Sequence, residues 1–466
     1  MMSMSIKPTS AASSRSQLGR RIQKKRASSH RLPRSGTKPV AKKVVVQDWP
    51  LILVTGANGY IGSHVVLELL KQGDYGVIAI DSLENSSAES LRRVRELAAQ
   101  SVGPHPPVYH HQTDIRDRRR LRSIFQGYRF RDGGNAIQHV IHFAALKSVE
   151  GSRLNPAGYY STNVLGTAGL LEVMKSTGVN SLVFSSSAVV YGSSAAPEAH
   201  SSTELLAESR CPVRAHQPEG ERKANYERIT NTYGKTKLMC EELIHKLCYL
   251  QGQSKKSADN FRAVILRYTN PSGNDPSGRI GDSPTYPENL MPIAAQVLQG
   301  TREQISIYGA DYPTRDGTGV RDFIHVQDLA KGHLAALRAF KPKGNKFSRG
   351  MYPNNCQTYN LGTGRGASVM EVITALTEAS GRPIKTKIAP RRPGDLATVI
   401  CDPSKAELEL GWKAEKGVLE SGSNEVDISS QSRSLIRFPS TSSVATDLWK
   451  FCISNPHGLS PPKDLK

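Results

Sequence analysis

A chain of 466 residues, 38% of them apolar, has room for two or three domains and enough hydrophobic material to bury a core. No apolar run reaches the ~18 residues of a membrane span, so a soluble protein without membrane partners is expected. The net charge of +21 is lopsided, because residues 1–47 hold twelve Lys or Arg and no Asp or Glu.

Such a tail cannot bury enough apolar surface to fold, so 1–47 reads as a disordered basic segment. An Arg- and Ser-rich transit peptide and a non-specific binder of anionic surfaces are the competing readings. No zinc-finger, homeodomain or RNA-recognition pattern accompanies it, so nucleic acid is not an expected partner. The six cysteines are scattered with no Cys-x-x-Cys. That argues against a disulfide framework or a metal site and fits a reducing compartment, the cytoplasm.

The apolar run 51–55 ends at Gly56-Ala57-Asn58-Gly59-Tyr60-Ile61-Gly62 and reads as a buried parallel strand. Residues 63–72 carry helical periodicity, with Val65, Val66, Leu69 and Leu70 on one face. Residues 77–80 form a second strand, closed by Asp81. Helix is expected over 90–99, strand over 139–145, helix over 162–176 and strand over 181–184. A long helix over 233–250 and a strand over 263–268 follow. This alternation predicts an α/β fold, a doubly wound parallel sheet with helices on both faces.

Beyond Pro271 the texture turns rich in Gly, Pro, Asp and Asn, which marks a smaller second lobe over 271–416. A strand and turn at 359–362 and a helix over 368–380 belong to it. Residues 194–230 and 417–443 read as inserts, polar or Ser-rich surface loops. A terminal helix and tail occupy 444–466, and the first lobe is taken as 48–270.

The glycine turn follows a strand and opens a helix. Its glycines let backbone approach a pyrophosphate, which the helix N-terminus stabilises. Asp81 stands where a carboxylate would accept hydrogen bonds from an adenosine ribose and repel a 2′-phosphate, which favours NAD over NADP. Asp114 and Ile115, after a third strand, suit an adenine contact, although an ordinary loop aspartate fits Asp114 as well.

Tyr233 and Lys237 lie four residues apart and so share one helix face. A nearby ammonium favours phenolate, so the pair is expected to lower the tyrosine pKa from about 10 toward working pH. Such a tyrosine can take a proton from an alcohol. Ser187, at the end of a strand, is placed to relay it. Arg321 and Arg392 in the second lobe suit a diphosphate, because a planar guanidinium binds two oxygens at once.

Three groups of residues carry a resemblance. They are Val54-Thr55-Gly56 with Gly62-Ser63-His64, Arg267-Tyr268-Thr269-Asn270-Pro271-Ser272-Gly273, and the string from Asp316 to Val326. On these the chain resembles the extended short-chain dehydrogenase/reductase family and, within it, the UDP-glucose 4-epimerases, from about residue 51 to 412. The resemblance implies a Rossmann-type domain with a smaller C-terminal lobe. It implies NAD contacts from Gly56, Gly59, Tyr60, Ile61, Gly62, Asp81, Asn85, Ser86, Asp114, Ile115, Phe143, Ala144, Lys147, Asn163, Tyr233, Lys237 and Tyr268. It implies UDP-sugar contacts from Ser187, Tyr233, Asn270, Asn289, Leu290, Tyr308, Arg321, Arg392, Asp395 and Val399.

The activity implied is reversible epimerisation of UDP-glucose and UDP-galactose at C4 through a 4-keto sugar, with a homodimer as the family's common state. Val399 aligns with a position lining the sugar pocket, where a small residue leaves room for a 2-acetamido group. A dehydratase of the same fold would carry an Asp-Glu pair where this chain has Ala188 and Val189. An inactive binding module using the basic tail is the remaining alternative, and intact Tyr233 and Lys237 weigh against it.

Two departures stand out. Tyr233 follows Ser187 by 46 residues, a longer gap than is usual in the family, so the two meet only if the insert loops out cleanly. Asn231-Thr232 replaces the usual Ser-Pro before the tyrosine.

Overall fold

Strand β1 (Leu51–Thr55) is buried along its whole length, and its side chains alternate between two cores. Ile52 and Val54 enter one cluster, while Leu51 and Leu53 enter the other, as a pleat of period two requires. The computed structural model describes residues 44–46, 49–195, 205–252, 260–341, 355–392, 394–418 and 443–459. The expected disorder of the basic tail over 1–47 lies outside the described residues up to residue 43, and it is corrected for Val44–Val46, which form a short strand parallel to Tyr128–Phe130 with Val46 buried.

Beside β1, the sheet contains β2 (Gly76–Asp81), β3 (Val108–Gln112), β4 (Ile137–His142), β5 (Ser181–Ser185), β6 (Arg262–Tyr268) and β7 (Cys356–Leu361). Their order is β7-β6-β5-β4-β1-β2-β3, and every pairing is parallel. The direction of winding reverses at β1, which has β2 on one side and β4 on the other. A crevice opens beyond the strand ends at such a reversal.

Helices α1 (Tyr60–Gln72) and α2 (Ala88–Val102) cover one face, with Leu329 and Leu334 in the same cluster. Helices α3 (Arg118–Gly127), α4 (Gly166–Thr177) and α6 (Thr232–Gly252) supply Leu121, Leu170 and Ile244 to the other. Between α3 and α4 the expected helix over 162–176 begins as a π-helical turn, Tyr160–Leu165.

The second lobe has its own core, built from α7 (Leu290–Leu298), α9 (Val369–Ser380) and α10 (Ser443–Ser454). A Ser368–Glu371 capping box starts α9. Between these, α8 (Val326–Arg338) packs back on the main sheet through the first cluster.

The reading of 194–230 as an irregular surface loop is corrected for 205–230. Helix α5 (Glu219–Arg228) forms there. Leu206, Cys211, Val213 and Ile229 are buried with Ala188, Val190, Tyr191, Leu238 and Cys401. These apolar residues are too widely spaced in sequence to show a period, so only the folded cluster reveals them. Residues 419–442 of the second insert lie outside the described residues.

All six cysteines are buried thiols. Among the described residues no helix is long and apolar enough to cross a membrane, and no group of three or more His, Cys, Asp or Glu is placed to hold a metal ion.

Candidate active site

The glycine turn sits at the end of β1, at the reversal. Gly56 has φ +70°, and a Cβ there would stand 2.8 Å from the amide nitrogen of Ala144. A Cβ on Gly62 would stand 2.1 Å from the Gly56 carbonyl oxygen. Both positions therefore exclude a side chain for steric reasons. Gly59 precedes α1 without a side-chain cap, so the helix N-terminus presents bare backbone to the crevice. The Tyr60 hydroxyl donates to the Gly273 carbonyl and ties α1 to the second lobe.

Asp81, at the end of β2, is buried and held in place. Its Oδ2 accepts from the Asn58 amide at 2.9 Å, and its Oδ1 accepts from the Leu83 amide and the Ser86 hydroxyl, each at 2.9 Å. Ser86 is thus a partner of Asp81. Asn85 is exposed, and its Oδ1 accepts from the Tyr286 amide at 3.2 Å. Asp114 is paired with Arg116, whose guanidinium holds the carboxyl below its usual range. Ile115 is buried against Gly166.

The loop after β4 is pinned to β1. The Phe143 amide donates to the Thr55 carbonyl at 3.1 Å, and the Ala144 amide to Thr55 Oγ1 at 3.2 Å. Lys147 is exposed, and its charge acts on the buried Asp282 carboxyl. Asn163, expected as a cofactor contact, bonds within the protein through its side-chain amide. Its Oδ1 accepts from the Leu146 amide at 2.8 Å, and its Nδ2 donates to the Leu146 carbonyl and to Thr236 Oγ1, each at 3.0 Å. It braces the 143–147 loop against α6.

At the end of β5 three serines take three partners. Ser185 shares a hydrogen bond with the Tyr268 hydroxyl. Ser186 Oγ donates to Glu241 Oε1 at 2.5 Å. The Ser187 hydroxyl lies close enough to the Tyr233 phenol to favour its ionised form. The long gap between Ser187 and Tyr233 is therefore closed. Backbone contact helps: Gly192, at φ +54°, lies so close to the Arg228 carbonyl that a Cβ would stand 2.2 Å from it.

The expected effect of Lys237 on Tyr233 is overturned. Burial pushes the Tyr233 phenol up to about 12, and the nearby Ser187 hydroxyl offsets only part of that. Lys237 Nζ donates to the Ser185 carbonyl at 2.8 Å and lies 4.9 Å from the Phe184 ring centroid. Burial lowers the lysine to about 8. Sequence spacing places both side chains on one face but says nothing of the carbonyl that captures the ammonium. Desolvation of the phenol therefore dominates.

The polar groups expected of the second lobe are held with fewer constraints. Asn270 is exposed. Asn289 precedes α7 without capping it, although asparagine is a favoured cap, which leaves its amide for another partner. Leu290 packs on the lobe's core. The Arg392 guanidinium stacks 3.9 Å from the Tyr308 ring centroid. Arg321 Nη1 donates to the carbonyls of Val320 at 2.9 Å and Ala397 at 3.3 Å. Asp395 acts electrostatically on Arg321, and Val399 is paired with Arg321 across two short parallel strands.

The NAD dependent epimerase/dehydratase family matches residues 52–350. This chain belongs to that family. It is 44% identical over 374 residues to the UDP-glucose 4-epimerase of Homo sapiens, covering 79% of this chain and 92% of the relative. The UDP-glucose 4-epimerase of Bacillus subtilis is 43% identical over 371 residues, covering 79% and 94%. Among solved structures, the UDP-glucose 4-epimerase of Bifidobacterium longum in complex with NAD+ and UDP superposes with a TM-score of 0.67 at 37% identity, covering 88% of this chain and 99% of that one.

The crevice fits the family's dinucleotide. The glycine cradle excludes any side chain, and two buried oxygens beside it, Asn58 Oδ1 and Thr113 Oγ1, have no protein partner. Asp81, the α1 N-terminus and Lys237 supply an acceptor, a positive dipole and a cation along its length.

Three polar residues escaped the sequence reading. Glu241 is one helical turn beyond Lys237, and i, i+4 spacing would have flagged it. It accepts from Arg267 Nε at 3.0 Å and Nη2 at 2.6 Å, with both side chains fully buried. Arg267 also donates to the Cys211 carbonyl and lies 5.0 Å from the Tyr191 ring centroid. Asp322 accepts from the Thr363 hydroxyl at 2.7 Å and its amide at 3.0 Å, which fixes the strand bearing Arg321. Burial raises its carboxyl to about 6.

Proposed function

We propose that this chain interconverts UDP-glucose and UDP-galactose at C4, with NAD as its bound cofactor. The observation that carries this reading is the Tyr233 phenol set beside the Ser187 hydroxyl that follows β5, close enough for Ser187 to act on it. Tyr233 takes the proton from the sugar 4-hydroxyl and returns it, and Ser187 relays it. NAD, when bound, supplies a cationic nicotinamide that accepts and returns the C4 hydride.

Tyr233 needs positive charge nearby before it can ionise at neutral pH, because burial holds it near 12 without it. Lys237, anchored on the Ser185 carbonyl, holds one cation at the foot of the site. Arg321 and Arg392 hold the diphosphate, with Asn270 and Asn289 as neighbouring polar contacts. Binding energy is thereby placed on the remote nucleotide. An apolar Val399 near the sugar grips the ring loosely, so that it can present either face. Ala188 and Val189 offer no acid or base for eliminating water, which favours epimerisation over dehydration.

On this reading 48–270 binds NAD and 271–416 binds the UDP-sugar. Six buried thiols suit the reducing cytoplasm. The family resemblance supports a homodimer, which sedimentation would test.

The deciding experiment is conversion of UDP-galactose to UDP-glucose by purified protein without added NAD, beside Tyr233→Phe. The expected result is turnover that the variant loses by about 10²–10⁴-fold, the usual worth of a positioned acid–base group. No turnover even with NAD supplied would overturn the proposal.

The small side chain of Val399, beside Arg321, favours a second substrate pair, UDP-GlcNAc and UDP-GalNAc. Absence of turnover on UDP-GlcNAc, in a preparation active on UDP-galactose, would remove it.

A further inference from the structure

The loop after β2 carries Asp81, Asn85 and Ser86, and it contains an unfavourable backbone. Leu83 has φ +62°, a left-handed conformation that a branched side chain adopts only when its surroundings enforce it. From inside, the Asp81 carboxylate grips the Leu83 amide and the Ser86 hydroxyl.

From outside, the grip comes from the far end of the chain. Ser87 Oγ donates to the Leu459 carbonyl at 3.2 Å, across 372 positions. The Ser87 carbonyl in turn accepts from Asn58 Nδ2, in the glycine turn, at 3.0 Å. Leu459 is 3% exposed, and its amide donates to Ser283 Oγ at 3.0 Å.

Asn455 anchors this segment just after α10. It is also 3% exposed. Its Oδ1 accepts from the Arg93 guanidinium on α2, the helix that Ser87 caps. Its Nδ2 donates to the carbonyls of Gly278 at 2.7 Å and Phe451 at 2.9 Å. Gly458, at φ +72°, turns the chain against Ser283, where a Cβ would stand 2.6 Å from Oγ. The segment therefore touches the loop, the helix behind it and the second lobe at once.

We infer that residues 455–459 are a latch that holds loop 82–87 in its ribose-binding shape and so sets how firmly NAD is retained. These are positioning residues, and the inference rests on the cofactor reading above. A loop that must be reordered before binding weakens apparent affinity by the fraction of time it spends in the competent shape. The latch removes that cost for the cofactor and leaves the UDP-sugar contacts of Arg321 and Arg392 untouched.

Two variants test it: a chain ending at Ser454, and the full chain with Asn455→Ala and Ser283→Ala together. The readout is NAD per chain after gel filtration, measured by absorbance after acid release. The expected result is about tenfold less retained NAD in both variants, with kcat and KM for UDP-galactose within about twofold of the full chain at saturating added NAD. Should the shortened chain not fold, the double variant decides.

Full-chain levels of NAD in the double variant, while Asp81→Ala loses its cofactor, would overturn the latch alone. Unchanged retention in Asp81→Ala would overturn the ribose-loop reading beneath it. A fall in kcat at saturating NAD that matches the loss of NAD would also overturn the latch, since it would mark a general structural defect.

Discussion

The residues around Ser187 and those around Arg321 are held on different principles. Around Ser185–Ser187 the polar groups are held inside the fold: Ser185 meets the Tyr268 hydroxyl, Ser186 meets Glu241, and Lys237 donates to the Ser185 carbonyl. Around Arg321 and Arg392 they stack on an exposed Tyr308 or lean on backbone carbonyls. Under the proposed function the first of these is the reacting end, where preorganisation serves proton transfer between groups held close together. Under the proposed function the Arg321 and Arg392 end can be looser, because a diphosphate would supply the charge that orders two guanidinium groups.

If that contrast holds, the largest effect on stability belongs to the reacting end. Glu241→Gln would leave the Arg267 guanidinium buried without its counter-charge, at a cost of about 3–5 kcal/mol. A urea unfolding midpoint shifted by much less would mean that the pair is not the spine of this region.

The next effect is on pH dependence. Lys237 is depressed from 10.5 to about 8, so between those values the unfolded chain binds a proton that the folded chain does not. Its contribution makes stability rise with pH through that window, by about 3 kcal/mol at most. Tyr233 is raised from 10.0 to about 12, so its contribution is present below pH 10 and lost as pH rises toward 12. Urea unfolding of the NAD-free protein across pH 7.5 to 10.5, a span set by those shifts, should show the rise, and Lys237→Met should flatten it. An unchanged slope in the variant would break the assignment.

The smallest effect is expected at the open end. Arg392→Lys keeps the charge but loses the fork and the stack on Tyr308, so KM for UDP-galactose should rise about tenfold while kcat changes little. A fall in kcat instead would place Arg392 in the reacting machinery and blur the contrast.

Much of this site could be read from local spacing. The strand, the glycine turn and the helix over 51–72 follow from periodicity, and Asp81 follows from its distance beyond the turn. Tyr233 and Lys237 share a face because 3.6 residues make a turn. The limits appear at particular residues. Helix α5 and the buried residues between 205 and 230 were read as loop, because Leu206, Cys211, Val213 and Ile229 follow neither period. No local pattern shows that the Asn163 side chain bonds to Leu146 and Thr236.

Strand order, the crevice at β1 and the partners of buried polar groups are set by packing between segments far apart in the chain. Lys237 could have faced Tyr233, and it faces the Ser185 carbonyl, 52 positions away. Glu241 meets Arg267, and Leu459 meets Ser87, for the same reason. Local sequence dictates backbone shape and the side of an element on which a residue stands. A buried charge or amide takes whichever partner the assembled core leaves within about 3 Å, because leaving it unpaired costs more than any local preference.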